Sequence, residues 1–265
     1  MTNARTVKSA RENKAAELRA EAARKETRRR TLLVTVVVAV VVLLVVGITV
    51  VVRQAQHDKA VATASAPGGV PANLLPDGGI AGVSGTTPAD KTPVTVEMWE
   101  DFQCPACRAF EADNSAQLES WARQGVVRLV YKPVSFLDRA STTNYSTRAL
   151  MAAAAVVNSS PQSFQKFHDL LYANQPEEGT AGLTDTQLAD LAAQAGAPRD
   201  AVASALSSQV YKGWTVQRTD AFSATYNQTP TILIDGKEVG SSFDAASIKS
   251  AVAAAAAAKG LPALK

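Results

Sequence analysis

Cysteine and histidine are both scarce in this chain, whose 265 residues include two of each. A structural zinc site uses four ligands, usually Cys or His, and neither His57 nor His168 has finger-like spacing from the cysteines. We therefore predict no metal site and no bound cofactor. What needs explaining is the close spacing of the two cysteines, Cys104 and Cys107.

Charged residues are also few, at 19% of the chain, and they are unevenly distributed. Residues 1–31 carry ten Lys or Arg and four Glu, a balance of +6, which leaves −3 for the rest of a chain whose net charge is +3. This basic segment contains no aromatic residue. We interpret it as a solvated cytoplasmic tail rather than as an arm that binds nucleic acid, and we predict no nucleic-acid partner.

One hydrophobic run is long. Residues 32–52 contain no charge, and two threonines are their only polar side chains. As a helix, this run would be about 31 Å long, which matches a bilayer core of about 30 Å. Three arginines, Arg28 to Arg30, precede it, so the positive-inside rule places the N-terminus in the cytoplasm and the rest of the chain outside.

A cleaved signal peptide is the alternative for this run, but its apolar region would be only about 7–15 residues long, with a cleavage site close behind. We expect an uncleaved single-pass anchor in a bacterial cell membrane. Residues 53–92 are rich in Ala, Gly, Pro, Ser and Thr, which predicts a flexible linker. An extracytoplasmic domain would then occupy residues 93–265, in a compartment where disulfides persist.

The two cysteines form a C-x-x-C motif, Cys104-Pro105-Ala106-Cys107. Residues 94–99 before the motif are mostly β-branched or aromatic and predict a strand, whereas residues 108–123 after it have the apolar spacing of a helix. Pro105 fits the first helical turn, where its missing N–H leaves nothing unpaired. The sulfurs are therefore predicted to lie where a strand ends and a helix begins.

This position has a chemical consequence for Cys104. Free N–H groups and the helix dipole favour an anion at a helix N-terminus, so the pKa of a thiol there falls to roughly 3.5–7.5. We assign Cys104 as the attacking thiolate and Cys107 as the resolving sulfur, which cycle between dithiol and disulfide through a mixed disulfide. A structural disulfide and two unrelated buried thiols stay open as alternatives. A four-residue loop weakens the first, since closing it contributes only roughly 2 kcal/mol.

The remaining chain predicts a mixed α/β domain. Residues 126–134 are a second strand, parallel to the first because strand, helix and strand form a βαβ unit. Helices are expected at about 143–157, 161–173, 184–195 and 198–207, within an all-helical insertion at about 140–208, and at about 209–225. Thr229-Pro230-Thr231 then opens a strand, and Asp235-Gly236 forms the turn of a hairpin.

The strand that leads into Asp101-Phe102-Gln103-Cys104-Pro105-Ala106-Cys107, the helical insertion and Thr229-Pro230-Thr231 together resemble the DsbA-like branch of the thioredoxin superfamily. The resemblance covers residues 93–265. More specifically, the chain resembles the membrane-anchored DsbA-like proteins of bacteria. The resemblance implies a thioredoxin-like fold with an inserted all-helical subdomain, preceded here by a single transmembrane helix. It also implies a cis Pro230, which with Thr229 binds the extended chain of a substrate, and supporting roles for Phe102, Pro105 and Ala106.

Two positions depart from the family pattern. Strongly oxidising members carry a histidine between the cysteines, where this chain has Ala106. Many members also have a buried acid six residues before the first cysteine, where this chain has Met98, and neither Glu97 nor Glu100 can be assigned that role from the sequence. His168 lies in an apolar helical stripe, so we interpret it as a packing residue rather than as a ligand or base.

The resemblance and the compartment predict a membrane-tethered thiol–disulfide oxidoreductase that oxidises cysteines of exported proteins. Its partners would be those proteins, through transient mixed disulfides, and a membrane reoxidase, because the chain has no second cysteine pair to relay electrons. The alternatives are a disulfide isomerase, a reductase serving cytochrome maturation, and a non-catalytic thioredoxin-like binding domain. A further alternative is a protein that delivers copper or haem, with Cys104 and Cys107 as soft ligands.

Overall fold

The computed structural model describes residues 69–240 and 242–265. The predicted cytoplasmic tail at 1–31, the predicted anchor at 32–52 and the first part of the predicted linker lie outside these residues. No helix in the described ranges combines the length and the apolar character that crossing a membrane requires.

From residue 94 onward, the strands and helices of the described chain follow the predicted order. The strands are β1 (Ile80–Ala81), β2 (Val94–Trp99), β3 (Val127–Tyr131), β4 (Thr231–Ile234) and β5 (Lys237–Glu238). The α-helices are α1 (Pro105–Arg123), α2 (Tyr145–Ser159), α3 (Phe164–Ala173), α4 (Asp185–Ala195), α5 (Arg199–Ser208), α6 (Lys212–Ser223) and α7 (Ala245–Ala258). Two short 3-10 helices, Asp138–Ala140 and Pro161–Ser163, precede α2 and α3 respectively.

The five strands form one sheet in the order β1-β3-β2-β4-β5. β2 pairs with β3 in parallel, through the crossover helix α1, and with β4 in antiparallel fashion. Alternate residues of β2, namely Val94, Val96 and Met98, are fully buried. The sheet thus confirms the predicted βαβ unit followed by a hairpin, and it places the end of its central strand next to the cysteine motif.

The hairpin turn follows from its residue types. Asp235 and Gly236 have φ angles of 48° and 77°. Two consecutive positive values are typical of a type I′ turn, which Asp-Gly tolerates well. The turn therefore confirms the predicted connection between β4 and β5.

The segment before Pro93 corrects one prediction. Ile80 in β1 is buried and pairs with Tyr131 of β3, so this segment adds an edge strand to the sheet. Gly85 donates a backbone hydrogen bond to Ala122, and a Cβ there would stand 1.9 Å from the carbonyl oxygen of Arg123. The prediction of a linker is therefore wrong for its described part, residues 69–92. A strand of two residues is too short to leave a periodic pattern in the sequence.

Helices α2 to α5 form the predicted insertion between β3 and α6. α2 lies at its centre, with an unbroken buried run from Ala149 to Val157 that includes five alanines, whose small side chains allow neighbouring helices to approach closely. α4 begins with a capping box between Thr184 and Gln187, and Gly196, whose φ is 100°, is its C-cap. The insertion packs beside the cysteine motif and supplies several of its contacts, described below.

Candidate active site

Cys104 lies at the junction between the central strand and helix α1. It is the N-cap residue of α1, and Pro105 occupies the first helical position. The backbone N–H of Cys107 donates a hydrogen bond to Sγ of Cys104 over 3.4 Å. The predicted arrangement, a sulfur at the N-terminus of a helix, is confirmed.

The surroundings of Cys104 favour its thiolate. A hydrogen bond from the Cys107 thiol is the main reason that the pKa of Cys104 falls from 9.0 to about 6, against the opposing effect of burial. Hydrogen bonds from the Thr229 side chain and from the backbone N–H groups of Cys107 and Ala106 lower the pKa further. At neutral pH, Cys104 is therefore mostly ionised, as a nucleophilic sulfur must be.

The surroundings of Cys107 have the opposite effect. Cys107 is fully buried, and burial raises the pKa of its thiol well above 9.0. Its hydrogen bond to Cys104 and the charge of Glu100 raise the pKa further. Both cysteines are in the free thiol state in this structure. The pair therefore contains one sulfur prepared to attack and one that holds its proton.

Thr229 and Pro230 lie beside the reactive sulfur. Sγ of Cys104 is 3.3 Å from the carbonyl oxygen of Thr229, and the Thr229–Pro230 peptide bond is cis, as expected. Pro105 and Ala106 are exposed, and Thr229 is half-buried. Cys104 is 5% exposed and Pro230 is buried, so Thr229, Pro105 and Ala106 are the accessible uncharged residues beside the sulfur.

Phe102 supports this region from inside. Its ring is fully buried and lies 5.6 Å from the ring of Tyr172 and 5.8 Å from that of His168, measured between centroids. Both partners belong to α3, so Phe102 packs the cysteine motif against the helical insertion. The sequence-predicted site residues are thus placed in one region, although Phe102 does not itself reach the surface.

An acidic side chain next to Cys107 was not identified from the sequence. Glu100 is 1% exposed, and its charge acts on the Cys107 thiol. Glu97, the other candidate, points away and pairs with Lys132 over 2.8 Å, whereas Met98 is an apolar core residue. Strand alternation ends at Trp99, and for that reason the pattern of β2 could not predict where Glu100 points.

Glu100 belongs to a buried cluster with Glu111 and His168. Oε2 of Glu100 is 3.1 Å from Nε2 of His168, and Nδ1 of His168 is 3.4 Å from Oδ1 of Asp169. Burial alone would lower the pKa of His168, but the carboxylates of Glu111, Asp169 and Glu100 raise it to about 10. Burial and the charge of Glu100 raise the pKa of Glu111 well above 4.5. A protonated His168 thus faces an acidic pair.

The ligand atoms of these three residues lie within 4.8 Å of one another, a donor set that a divalent cation can accept. The His168 imidazolium supplies positive charge to the same carboxylates. His168 also has the predicted packing role, because the rings of Phe102, Tyr131, Phe164 and Tyr172 surround it. The sequence held one signal for Glu111, since it lies four residues after Cys107 and so on the same helical face.

Comparisons with known proteins agree with this geometry. The family model described as thioredoxin matches residues 86–254. Disulfide bond formation protein D of Bacillus subtilis is 31% identical over 104 residues, which are 39% of this chain and 45% of that protein. A probable disulfide bond formation protein D of Bacillus cereus is 29% identical over 100 residues, 37% of this chain and 44% of that protein. The chain therefore matches less than half the length of these curated relatives.

Solved structures match over a larger part of the fold. The oxidised DsbA of Mycobacterium tuberculosis superposes with a TM-score of 0.59 at 28% identity and covers 67% of this chain and 92% of that one. Oxidised BdbD of Bacillus subtilis superposes with a TM-score of 0.59 at 24% identity, over 72% of this chain and 98% of that one. The predicted likeness to DsbA-like proteins is confirmed.

Proposed function

The chain belongs to the thioredoxin family, and from that premise we propose that it is a thiol–disulfide oxidoreductase that oxidises the cysteines of exported proteins. The observation that carries the proposal is the asymmetry of the cysteine pair. The pKa of Cys104 is lowered to about 6 beside the backbone of Thr229, and that of the buried Cys107 is raised. A purely structural pair has no need of such a difference.

Oxidation of a substrate follows from this asymmetry. A substrate thiolate attacks Sγ of Cys104 in the Cys104–Cys107 disulfide, so the internal S–S bond breaks and a mixed disulfide forms. Cys107 leaves with the electron pair and takes up a proton, as its raised pKa requires. A second substrate thiolate then attacks the substrate sulfur of the mixed disulfide. The substrate leaves as a disulfide, and Cys104 leaves as the thiolate that its environment stabilises.

The proton for Cys107 has a nearby source. The protonated His168 contacts the buried carboxylate of Glu100 over 3.1 Å, and the charge of Glu100 acts on Cys107, so the imidazolium would supply the proton and Glu100 would pass it to Cys107. We assign Glu100 as the group that exchanges a proton with Cys107. In reoxidation the step runs in reverse, because Cys107 must lose its proton before it attacks the mixed disulfide at Cys104.

Substrate binding is assigned to the surface around Cys104. The half-buried Thr229, the cis Pro230 and the exposed Pro105 and Ala106 would receive an extended polypeptide, whose backbone pairs with that of Thr229. These residues offer no charge, so they suit many sequences rather than one. Such breadth fits an enzyme that acts on exported proteins in general.

Location and partners complete the proposal. The charge-free run at 32–52, preceded by Arg28 to Arg30, supports a single-pass anchor in the cell membrane with the domain outside. A membrane reoxidase would accept electrons from Cys104 and Cys107. The domain itself would begin before residue 80, so the linker is shorter than the sequence predicts.

Two experiments on the full chain test the function. Replacing Cys107 with Ser should trap mixed disulfides with exported proteins through Cys104, whereas the additional change Cys104→Ser should abolish them. A binding domain without turnover would trap nothing. Equilibration with glutathione should give a reduction potential between about −120 and −180 mV, the range of oxidants and isomerases, while a value near −270 mV would favour a reductase.

A further inference from the structure

The loop that carries the cysteines is held in place mainly by the helical insertion. We call residues 101–104 the active-site loop. Its Asp101 carbonyl accepts a hydrogen bond from the backbone N–H of Cys104 over 2.9 Å and one from the Tyr172 hydroxyl over 3.3 Å. The side-chain amide of Gln175 donates to the carbonyls of Phe102 and Cys104 over 3.2 and 2.9 Å.

The carboxylate of Asp101 is the centre of these contacts. It is fully buried, and each of its oxygens accepts hydrogen bonds. Oδ1 accepts from the backbone N–H of Gln103 over 2.8 Å and from the hydroxyl of Ser146 in α2 over 2.7 Å. Oδ2 accepts from the backbone N–H of Leu137 over 2.8 Å. One side chain thus joins the active-site loop, the segment after β3 and the central helix of the insertion.

This carboxylate has no cationic partner among the ion pairs of the described residues. The titratable groups that face it are Asp138, Tyr145 and Tyr172, none of which supplies a positive charge. Burial accordingly raises the pKa of Asp101 to about 7, although its three hydrogen bonds oppose the rise. Burial of a carboxylate without a cationic partner costs folding free energy, and local packing alone does not explain why Asp101 is placed here.

We propose that Asp101 is a positioning residue for Cys104, which couples the nucleophile to the helical insertion by holding the active-site loop through Gln103, Leu137 and Ser146. The inference rests on the proposed redox function. Cys104 must keep its sulfur within reach of the N–H groups at the start of α1 and of Thr229, and a displacement of the loop would remove those contacts. The insertion would therefore act on the chemistry without touching the sulfur.

Alkylation of Cys104 at different pH values in the full chain tests this proposal. Asp101→Asn keeps the shape of the side chain but turns an NH₂ donor toward a neighbouring N–H, so the loop should shift and the pKa of Cys104 should rise. A rise of one unit lowers the thiolate fraction at pH 6 about fivefold, and the rate of alkylation falls with it. Ser146→Ala, which removes one of the three donors, should give a smaller change in the same direction.

Asp138→Asn is the matched control. Asp138 is a half-buried acid of the same insertion that accepts hydrogen bonds from Thr147 and has none to the active-site loop. The Asp138→Asn variant should leave the pKa of Cys104 unchanged even if the substitution lowers the melting temperature of the protein. Glutathione exchange of the unchanged chain provides the second reference, because failure there overturns the function itself.

Three results of the alkylation experiment would overturn the inference. An unchanged pKa of Cys104 in a folded Asp101→Asn variant overturns the inference and leaves Asp101 a structural residue. A lowered pKa also overturns it, since that result means that the carboxylate acts on Cys104 through its charge. If Asp101→Asn does not fold, Ser146→Ala decides, and wild-type alkylation rates there would equally reject the positioning role.

Discussion

Oε2 of Glu100 lies 3.1 Å from Nε2 of His168, and both side chains are almost completely buried. The two residues are distant in sequence, since one follows the central strand and the other belongs to α3 in the helical insertion. The charge of Glu100 also raises the pKa of the Cys107 thiol. The insertion therefore supplies the countercharge for the carboxylate that raises the pKa of Cys107, in addition to its contacts with the active-site loop.

Replacing His168 with Leu should strongly destabilise the protein, because Glu100 would remain as a buried charge without its partner. Removal of one member of a buried pair costs about 3–5 kcal/mol of unfolding free energy. Urea denaturation followed by tryptophan fluorescence measures the loss. Asp169→Asn is the control, because the Asp169 side chain is 47% exposed and its contact with His168 is 3.4 Å long, so a loss of less than about 1 kcal/mol is expected. Equal losses would contradict the pairing of His168 with Glu100.

The same pair predicts how stability depends on pH. The pKa of His168 is about 10 in the folded protein and 6.5 as an unperturbed group. Because the folded state binds the proton more tightly, the stabilisation is complete below about pH 6.5 and is lost as the pH rises toward about 10. Unfolding free energies measured across this range should decline in the wild-type protein. The part of the decline that His168 causes should be missing in a His168→Gln variant.

The two cysteines should differ in reactivity. At pH 7 iodoacetamide should modify Cys104 alone in the reduced protein, with a rate that follows a pKa of about 6, while Cys107 stays unmodified until the protein unfolds. Cys107→Ala should raise the pKa of Cys104, because the thiol of Cys107 donates the main stabilising hydrogen bond. Cys107→Ser keeps a donor and should raise it less. Peptide mapping by mass spectrometry measures the modification of each cysteine. Equal modification of Cys104 and Cys107 would contradict the prediction.

Most of the fold could be predicted from local patterns. The β2–α1–β3 unit, the insertion and the Asp235-Gly236 hairpin each leave a periodicity or a turn signal within a few residues. The two-residue strand β1 leaves none, and it was missed. Cys104, Cys107 and Pro230 were recognisable from motifs, whereas the contact between Glu100 and His168 spans 68 positions and depends on how α3 packs. Long-range pairing of polar groups has no local signature.

Ala106 should tune the reduction potential. It is exposed in the first turn of α1, where a protonated imidazole would stabilise the thiolate of Cys104. Ala106→His should therefore make the couple more oxidising, with a tenfold change in the glutathione equilibrium corresponding to about 30 mV. Ala109→His, on the exposed face one turn further along α1, is the control and should change the potential much less. Equal shifts would mean that the effect is not specific to the helix N-terminus.

The titration of Asp101 should make the unfolding free energy depend on pH. The pKa of Asp101 is about 7 in the folded protein, because of its burial, and 3.8 as an unperturbed group. Between these values the folded state holds a proton that the unfolded state has released, so the unfolding free energy should fall as the pH rises from about 4 to about 7. Asp101→Asn cannot titrate and should remove this slope, whereas Asp244→Asn, at an exposed helix N-cap, should keep it. Urea denaturation at a series of pH values measures the slope. If Asp101→Asn unfolds with the same pH dependence as the wild-type protein, the carboxylate of Asp101 is ionised throughout this range, and its hydrogen bonds from Gln103, Leu137 and Ser146 outweigh the cost of its burial.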